Sequence, residues 1–300
     1  NWILFIPCTY NDIEKELQKM KNEKNKKLFG INGCDLLVSK NNLWKLLENK
    51  YGREEAKTIM PETWILSNES HMKLFKNDYS NKEMYIMKKN IQRKKGLELT
   101  NDIEIIMNNN DKKFRVVQKY MKELFMINKR KINLRIYLLI VHKDNKLYSY
   151  YYKNGKCIYT NKNYTGSNDL EENITSLNLD MDIYNKNPFD LFELMNYMNK
   201  KEYLILINNI KNNLKKLEIM YKTMITNLNK NNNNIHFQLF GLDYIFDDNL
   251  NVYLLELNKG PDMTSKNDKD YILKYRIYED LLNKVGIIKY NKKNMFEKIA

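Results

Sequence analysis

Between Phe237 and Pro261 the chain reads FQLFGLDYIFDDNLNVYLLELNKGP, two apolar runs of strand length around the polar turn Asp247-Asp248-Asn249. Leucine, β-branched and aromatic residues fill both runs, a pattern that predicts a β-hairpin. Asp243, Glu256 and Asn258 interrupt it. Strand side chains alternate faces, so Glu256 and Asn258 share one, and a connecting loop of even length would set Asp243 opposite Glu256. Upstream, Lys131 to Val141 alternates as well, with Asn133, Arg135 and Tyr137 on one face and Leu134, Ile136 and Leu138 on the other. Lys143 to Lys146 then turns the chain into a returning strand, Leu147 to Lys153. Met84–Lys89, Leu97–Leu99 and Phe114–Met121 read as further strands, Pro61–Leu66 as extended chain and Leu36–Val38 as a short strand.

Helical spacing marks four other stretches. Ile13, Leu17 and Met20 form one face; Leu43, Leu46 and Leu47 form another, in a helix for which Ser39 is the expected cap. A longer stripe runs through Tyr203, Ile207, Ile210, Leu214, Leu217, Tyr221 and Met224. Asp268 to Lys284 is helical, with Ile272, Tyr275, Leu282 and Val285 as its expected apolar side. Asn187 reads as the cap of a helix that starts at Pro188. Lys21–Lys27 reads as a charged loop, Asn128–Lys131 as a hinge, 154–187 as a long irregular segment and Asn227–Asn234 as an Asn-rich loop. Strands and helices together predict an α+β fold in three parts: a small N-terminal α/β subdomain (1–58), a central subdomain (59–121) and a C-terminal subdomain carrying the hairpin (122–300).

Composition narrows the picture. With 43% hydrophobic residues over 300 positions, the chain can build a substantial core. No apolar run is long enough to span a bilayer, and Asn1 to Pro7 lacks the basic leader and small-residue cleavage site of a signal peptide. The missing initiator Met suggests a fragment or trimmed chain. Cys8, Cys34 and Cys157 are far apart and have no metal spacing, as expected of a reduced, intracellular protein. His71, His142 and His236 stand alone, more as core or surface residues than as ligands. Lys+Arg number 51 against 37 Asp+Glu, a net charge of +14 that suits an acidic protein, a nucleic acid or an anionic surface. The basic residues are spread along the chain without a basic–aromatic cluster, which makes a nucleic acid the weakest of these partners.

Two carboxylates and an amide oxygen on one hairpin face suit magnesium, a hard cation that takes one or two carboxylates together with nucleotide phosphates. The plainer alternative is a hairpin with its charges in water, against which stands the apolar setting Leu254-Leu255-Glu256-Leu257. Arg135, inside an apolar strand, needs an anion, either a carboxylate of the fold or a ligand phosphate. The basic loop from Asn90 to Gly96 could close over polyphosphate or be an ordinary hairpin tip; its single glycine makes it neither a P-loop nor a dinucleotide fingerprint.

The order of these pieces resembles the tubulin–tyrosine ligase-like family of ATP-grasp ligases. The resemblance runs from about Leu36 to Ile287 and rests on LFGLDYIFDDNLNVYLLELNKGP (239–261), VVQKYM (116–121), KINLRIYLLIV (131–141), YIMKKN (85–90), KKGLEL (94–99) and SKNNLWKLL (39–47). It implies an ATP-grasp-like fold whose mostly antiparallel central and C-terminal sheets enclose a nucleotide cleft. Lys88 and Lys95 would hold ATP phosphates. Gln118, Lys119, Tyr120 and Met121 would line the adenine pocket through the Gln118 amide and backbone groups. Lys131 and Asn133 would lie near the nucleotide, Arg135 would face the γ-phosphate as the catalytic cation, and Asp243, Glu256 and Asn258 would bind Mg2+. The implied reaction is an ATP-dependent carboxylate–amine ligation through an acylphosphate, adding Tyr, Glu or Gly to an acidic tail such as tubulin's. The implied partners are that tail and a free amino acid, in the cytoplasm and near microtubules, with no membrane involved.

Some positions depart from the family pattern. Asn133 stands for its Asp, Ile158 for an Arg with Lys156 nearby, and Lys88-Lys89 for a central Lys-Pro. Asn173-Ile-Thr-Ser176 replaces its HLTN, so that a His is absent. A nucleotide-binding, microtubule-docking module without turnover therefore stands beside the ligase as a second hypothesis.

Overall fold

The computed structural model describes residues 3–7, 13–20, 22–90, 96–108, 113–175, 177, 179–230 and 233–299. The chain opens with strand β1 (Leu4–Phe5), helix α1 (Ile13–Lys19) and strand β2 (Lys27–Phe29), followed by α2 (Cys34–Val38), α3 (Lys40–Tyr51) and α4 (Arg53–Ile59). Two of these correct the sequence-based expectation. Leu36 to Val38 is helical, and an unpredicted strand runs from Lys27, the last residue of the predicted charged loop, to Phe29. Three apolar residues are too few to separate helix from strand. A distant group decides: Glu14 Oε1 accepts the Gly33 and Asp35 N–H groups at 2.9 and 3.2 Å, satisfying the start of α2. Ser39 does precede α3, but without a side-chain cap bond; its hydroxyl donates to Asn41 Oδ1 at 2.7 Å.

Next come β3 (Thr63–Ile65), α5 (Glu69–Asp78), β4 (Tyr85–Lys88), β5 (Leu97–Thr100), α6 (Ile103–Met107) and β6 (Val116–Lys119). The four strands form one antiparallel sheet in the order β3-β6-β4-β5. Its core is aromatic: Trp64, Phe75 and Tyr85 meet edge to face at 5.2 to 6.1 Å.

β7 (Met126–Ile127) pairs with β8 (Arg130–Lys143), and the predicted hinge is instead a two-residue turn. Asn128 and Lys129 both have positive φ, which matches the twist of a tight hairpin. Asp144 and Asn145 repeat the device before β9 (Lys146–Tyr152). β10 (Lys156–Tyr159) lies within the segment expected to be irregular and pairs with the first half of β8. α7 (Leu170–Asn173) and α8 (Leu191–Tyr197) follow. The cap of α8 is Asp190, which accepts from Glu193 N, rather than Asn187. α9 (Lys200–Leu228) buries Tyr203, Ile210, Leu214, Leu217 and Tyr221 of the predicted stripe, and Leu206 beside them, while Ile207 and Met224 are half-buried.

β11 (Ile235–Phe246) and β12 (Val252–Asn258) are the predicted hairpin, and α10 (Asp268–Lys284) and β13 (Phe296–Lys298) close the chain. Among the described residues β8 and β11 are the centre of a nine-stranded sheet, with β2 and β12 sharing the far side of β11 and β9 and β10 sharing the far side of β8. α9 covers one face, where Tyr221 and Asn213 bond Ser149 and Tyr244. Alternation turns Arg135 and Asp243 to the opposite face.

α10 has the predicted bounds but a different phase. Leu273, Ile277 and Leu281 are buried, whereas Ile272 and Tyr275 are 60% and 53% exposed. Asp270 and Lys274 are buried beside the leucines as an ion pair, so two charged residues occupy positions that a hydrophobic stripe would claim. No described helix is long and apolar enough to cross a membrane.

Candidate active site

Lys156, Arg135, Asp243 and Glu256 pair in register across β10, β8, β11 and β12. Directly opposed residues share a face, so two cations and two anions form a row across the sheet. The turn between β11 and β12 leaves five residues between Phe246 and Val252, an odd number. That register alone would set Asp243 against Leu255. A one-residue shift between Asp243 and Tyr244 brings Glu256 into place.

Arg135 grips Asp243 with both arms, Nε to Oδ1 at 2.5 Å and Nη2 to Oδ2 at 2.9 Å. Burial opposes the guanidinium charge, but Asp243 outweighs it and holds the Arg135 pKa above its ordinary value. Two glycines make room for this residue. A Cβ on Gly241 would lie 3.0 Å from Arg135 Cδ, and one on Gly155 would lie 2.5 Å from the Arg135 carbonyl oxygen.

Glu256 is half-buried, and its Oε2 lies 3.4 Å from Lys40 Nζ at the start of α3. Asn258 Nδ2 donates to Glu256 Oε1 at 3.2 Å. Burial alone would raise the Glu256 pKa; Lys40, then Asn258, Lys88 and Arg135, pull it below the usual carboxylate value. The start of α3 also clasps Asn90, whose Nδ2 donates to Asn41 Oδ1 at 2.7 Å and Ser39 Oγ at 3.2 Å.

Lys40, Arg135, Asp243, Glu256 and Asn258 line a cleft of about 1280 Å³ between the two sheets. On its β4–β6 wall, buried Lys88 donates to Gln118 Oε1 at 2.6 Å, and Gln118 Nε2 donates to Thr63 Oγ1 at 2.8 Å. Burial pulls the Lys88 pKa down to about 8, against the attraction of Glu256. Lys131 donates to Tyr120 Oη at 2.5 Å and Asn173 Oδ1 at 2.8 Å, and lies 3.6 Å from the centre of the Tyr164 ring. Burial brings its pKa to about 8 as well, with Glu172 acting in the other direction.

These two lysines give the cleft a pH dependence. In the free protein the penalty for burying each ammonium is present below about pH 8 and fades as pH rises toward 10.5. A bound polyphosphate would favour the ammonium forms. Polyphosphate affinity is therefore expected to be flat near neutrality and to fall by up to about tenfold per lysine for each pH unit above about 8, with proton uptake on binding. Calorimetry in two buffers of different ionisation enthalpy checks this; a flat profile to about pH 9 would count against it.

Of the residues singled out in the sequence, Lys88, Gln118, Lys119, Tyr120, Met121, Lys131, Asn133, Arg135, Asp243, Glu256 and Asn258 all line this cleft. Lys95 lies outside the described residues. The Lys119 and Tyr120 N–H groups donate to Glu62 O and Met84 O, so a base bound here would use other groups of the segment. Ile158 lines the cleft, but Lys156, the expected substitute for a missing cation, is not among its lining residues, and its ammonium binds Asp270 at 2.8 Å. Lys40, Asp262, Thr264, Lys266 and Tyr278 line the cleft without having been singled out. Lys40 had a signal, since it sits inside the SKNNLWKLL segment. The others follow Pro261 and carry no motif.

Residues 18–294 match the tubulin-tyrosine ligase family. Similar proteins include a "probable tubulin polyglutamylase" of Caenorhabditis elegans, 25% identical over 58% of this chain and 43% of the relative. A tubulin glycylase of Tetrahymena thermophila is 28% identical over 63% of this chain and 23% of its own. A tubulin monoglutamylase of Mus musculus is 24% identical over 88% of this chain and 24% of its own. The chain thus spans less than half the length of each of these relatives.

Proposed function

The chain belongs to the tubulin–tyrosine ligase family, and on that premise we propose that it is an ATP- and Mg2+-dependent ligase joining an amino acid to an acidic protein tail, tubulin's being the first to test. One observation carries the reading: a guanidinium, two opposed carboxylates and a carboxamide lie in one patch facing Lys88 across a cleft large enough for a nucleotide. The relatives named as glutamylases and glycylases of tubulin support glutamate or glycine as the amino acid.

The donor set fits a hard divalent cation. Asp243 and Glu256 already hold cations, Arg135 and Lys40, so this is a place where positive charge is favourable. Asp243, Glu256 and Asn258 would hold magnesium there. Bound ATP with its metal would supply an activated phosphoryl group: a tail carboxylate would take the γ-phosphoryl group as ADP leaves, and an amine could then displace phosphate from the carbonyl carbon, losing a proton as the amide forms. The chain's own part is electrostatic. Lys88 and Lys40 would neutralise phosphate oxygens, and Arg135, freed from part of its bond to Asp243, would turn toward the γ-phosphate. Gln118 holds Lys88 in place.

The full chain, incubated with tubulin, ATP, magnesium and isotope-labelled glutamate or glycine, is expected to add label to the acidic tails only when both ATP and magnesium are present. A second reading has its own observation, the apolar Ile158 in the cleft and Lys156 held away by Asp270. Under it, ATP binds with magnesium and no label is transferred. Absence of magnesium-dependent ATP binding would reject both.

A further inference from the structure

Among the described residues six cationic side chains line the cleft, and five of them are engaged. Lys40 pairs with Glu256, Lys88 with Gln118, Lys119 with Glu83, Lys131 with Tyr120 and Asn173, and Arg135 with Asp243. Lys266 is exposed, and its ammonium makes no ion pair among the described residues. Asp262, in the same wall, accepts the Thr264 N–H at 3.0 Å; against burial, that bond, Lys274 and Lys266 hold its pKa below the usual carboxylate value, so the Lys266 charge is felt across this wall without a direct ion pair.

The backbone under Lys266 is held by a fully buried carboxylate. Asp270 Oδ2 accepts the Lys266 N–H at 3.1 Å and Lys274 Nζ at 2.9 Å, and Oδ1 accepts Lys156 Nζ at 2.8 Å. Lys274 Nζ also donates to Thr264 O at 2.6 Å. One carboxylate and two ammoniums thus tie the wall at 264–266 to α10 and to β10, whose Lys156 stands opposite Arg135. Buried ions of this kind are costly unless fully bonded, and full bonding fixes the segments that carry them. A lysine anchored this way keeps its charge over the cleft without the whole segment having to be ordered when a ligand arrives.

We propose that Lys266 is the cation by which this cleft recognises a carboxylate-bearing substrate, and that Asp270 is its positioning residue. The proposal rests on the ligase reading, in which both the free amino acid and the acceptor tail carry carboxylates. Calorimetric titration separates the two sources. The full chain, saturated with a non-hydrolysable ATP analogue and magnesium, receives free L-glutamate in one arm and a glutamate-rich peptide in the other. Lys266→Glu is expected to weaken one arm tenfold or more while analogue affinity stays within about twofold, and Lys266→Arg is expected to restore it. Asp270→Asn is expected to weaken the same arm. Asp280→Asn, a buried carboxylate ten residues along the helix bonded to Tyr290 and Met295, controls for lost helix stability and leaves both arms unchanged. The arm that weakens identifies the carboxylate's source. Wild-type affinity in Lys266→Glu, or a wild-type chain that binds the analogue but neither carboxylate, overturns the proposal alone. A wild-type chain that fails to bind the analogue overturns the ligase reading and this proposal with it.

Discussion

Glu256→Gln is expected to weaken magnesium-dependent nucleotide binding about 100-fold or more, roughly 3 kcal/mol, and to leave folding nearly untouched. The substitution keeps the shape of the side chain and removes its charge. Glutamine still has an oxygen to offer, but a neutral amide is a poor replacement for a carboxylate at a divalent ion that takes only one or two charged ligands from the protein. The fold loses little, because the Glu256 carboxylate is 33% exposed and its ion pair with Lys40 is 3.4 Å long. The two effects should therefore separate. Titration of an ATP analogue with and without magnesium reads the first, and thermal unfolding of the free protein reads the second. Unchanged magnesium dependence in the variant would remove Glu256 from the metal site, and with it the reason for placing phosphates beside Lys88.

The second large effect concerns Arg135 and Asp243. Either Arg135→Met or Asp243→Asn is expected to cost roughly 3 kcal/mol or more of stability, because each strands a buried partner without its counter-charge. The Arg135 and Asp243 side chains are 19% and 12% exposed, too little for water to replace the missing bonds. The double variant removes both charges together and is expected to recover much of that loss. It should not recover amino-acid transfer, since neither a guanidinium for the phosphate nor a carboxylate for the metal remains. Urea unfolding of all four proteins measures the coupling. If the double variant is as unstable as the two single losses added together, the bidentate pair does not organise this part of the sheet.

The long strands could be read from the sequence because β8 and β11 are buried on both faces and so show as near-continuous apolar runs. Arg135 in β8 and Asp243 in β11 interrupt those runs and so announced themselves. Their partnership did not show, because strand pairing depends on register. Register here includes a bulge beside Asp243 that no turn residue signals. Local patterns failed where distant atoms decide. α2 owes its start to Glu14, and α10 is rotated by Asp270 and Lys274, which take core positions because they satisfy each other. Lys266 escaped notice for a related reason: its proposed role rests on an ammonium that makes no ion pair among the described residues, and a sequence does not display that.

The clasp between Asn90 and the first turn of α3 has a mechanical consequence. Asn90 leads from β4 toward the basic loop, while Lys40 in the same turn of α3 reaches Glu256 on the other sheet. One helix end thus fastens both jaws, and the resting aperture is set from outside either of them. Any widening of the gap must strain these bonds at residues 39–41. A macromolecule pressing on α3 could therefore tune how readily the mouth opens while touching none of the groups inside it.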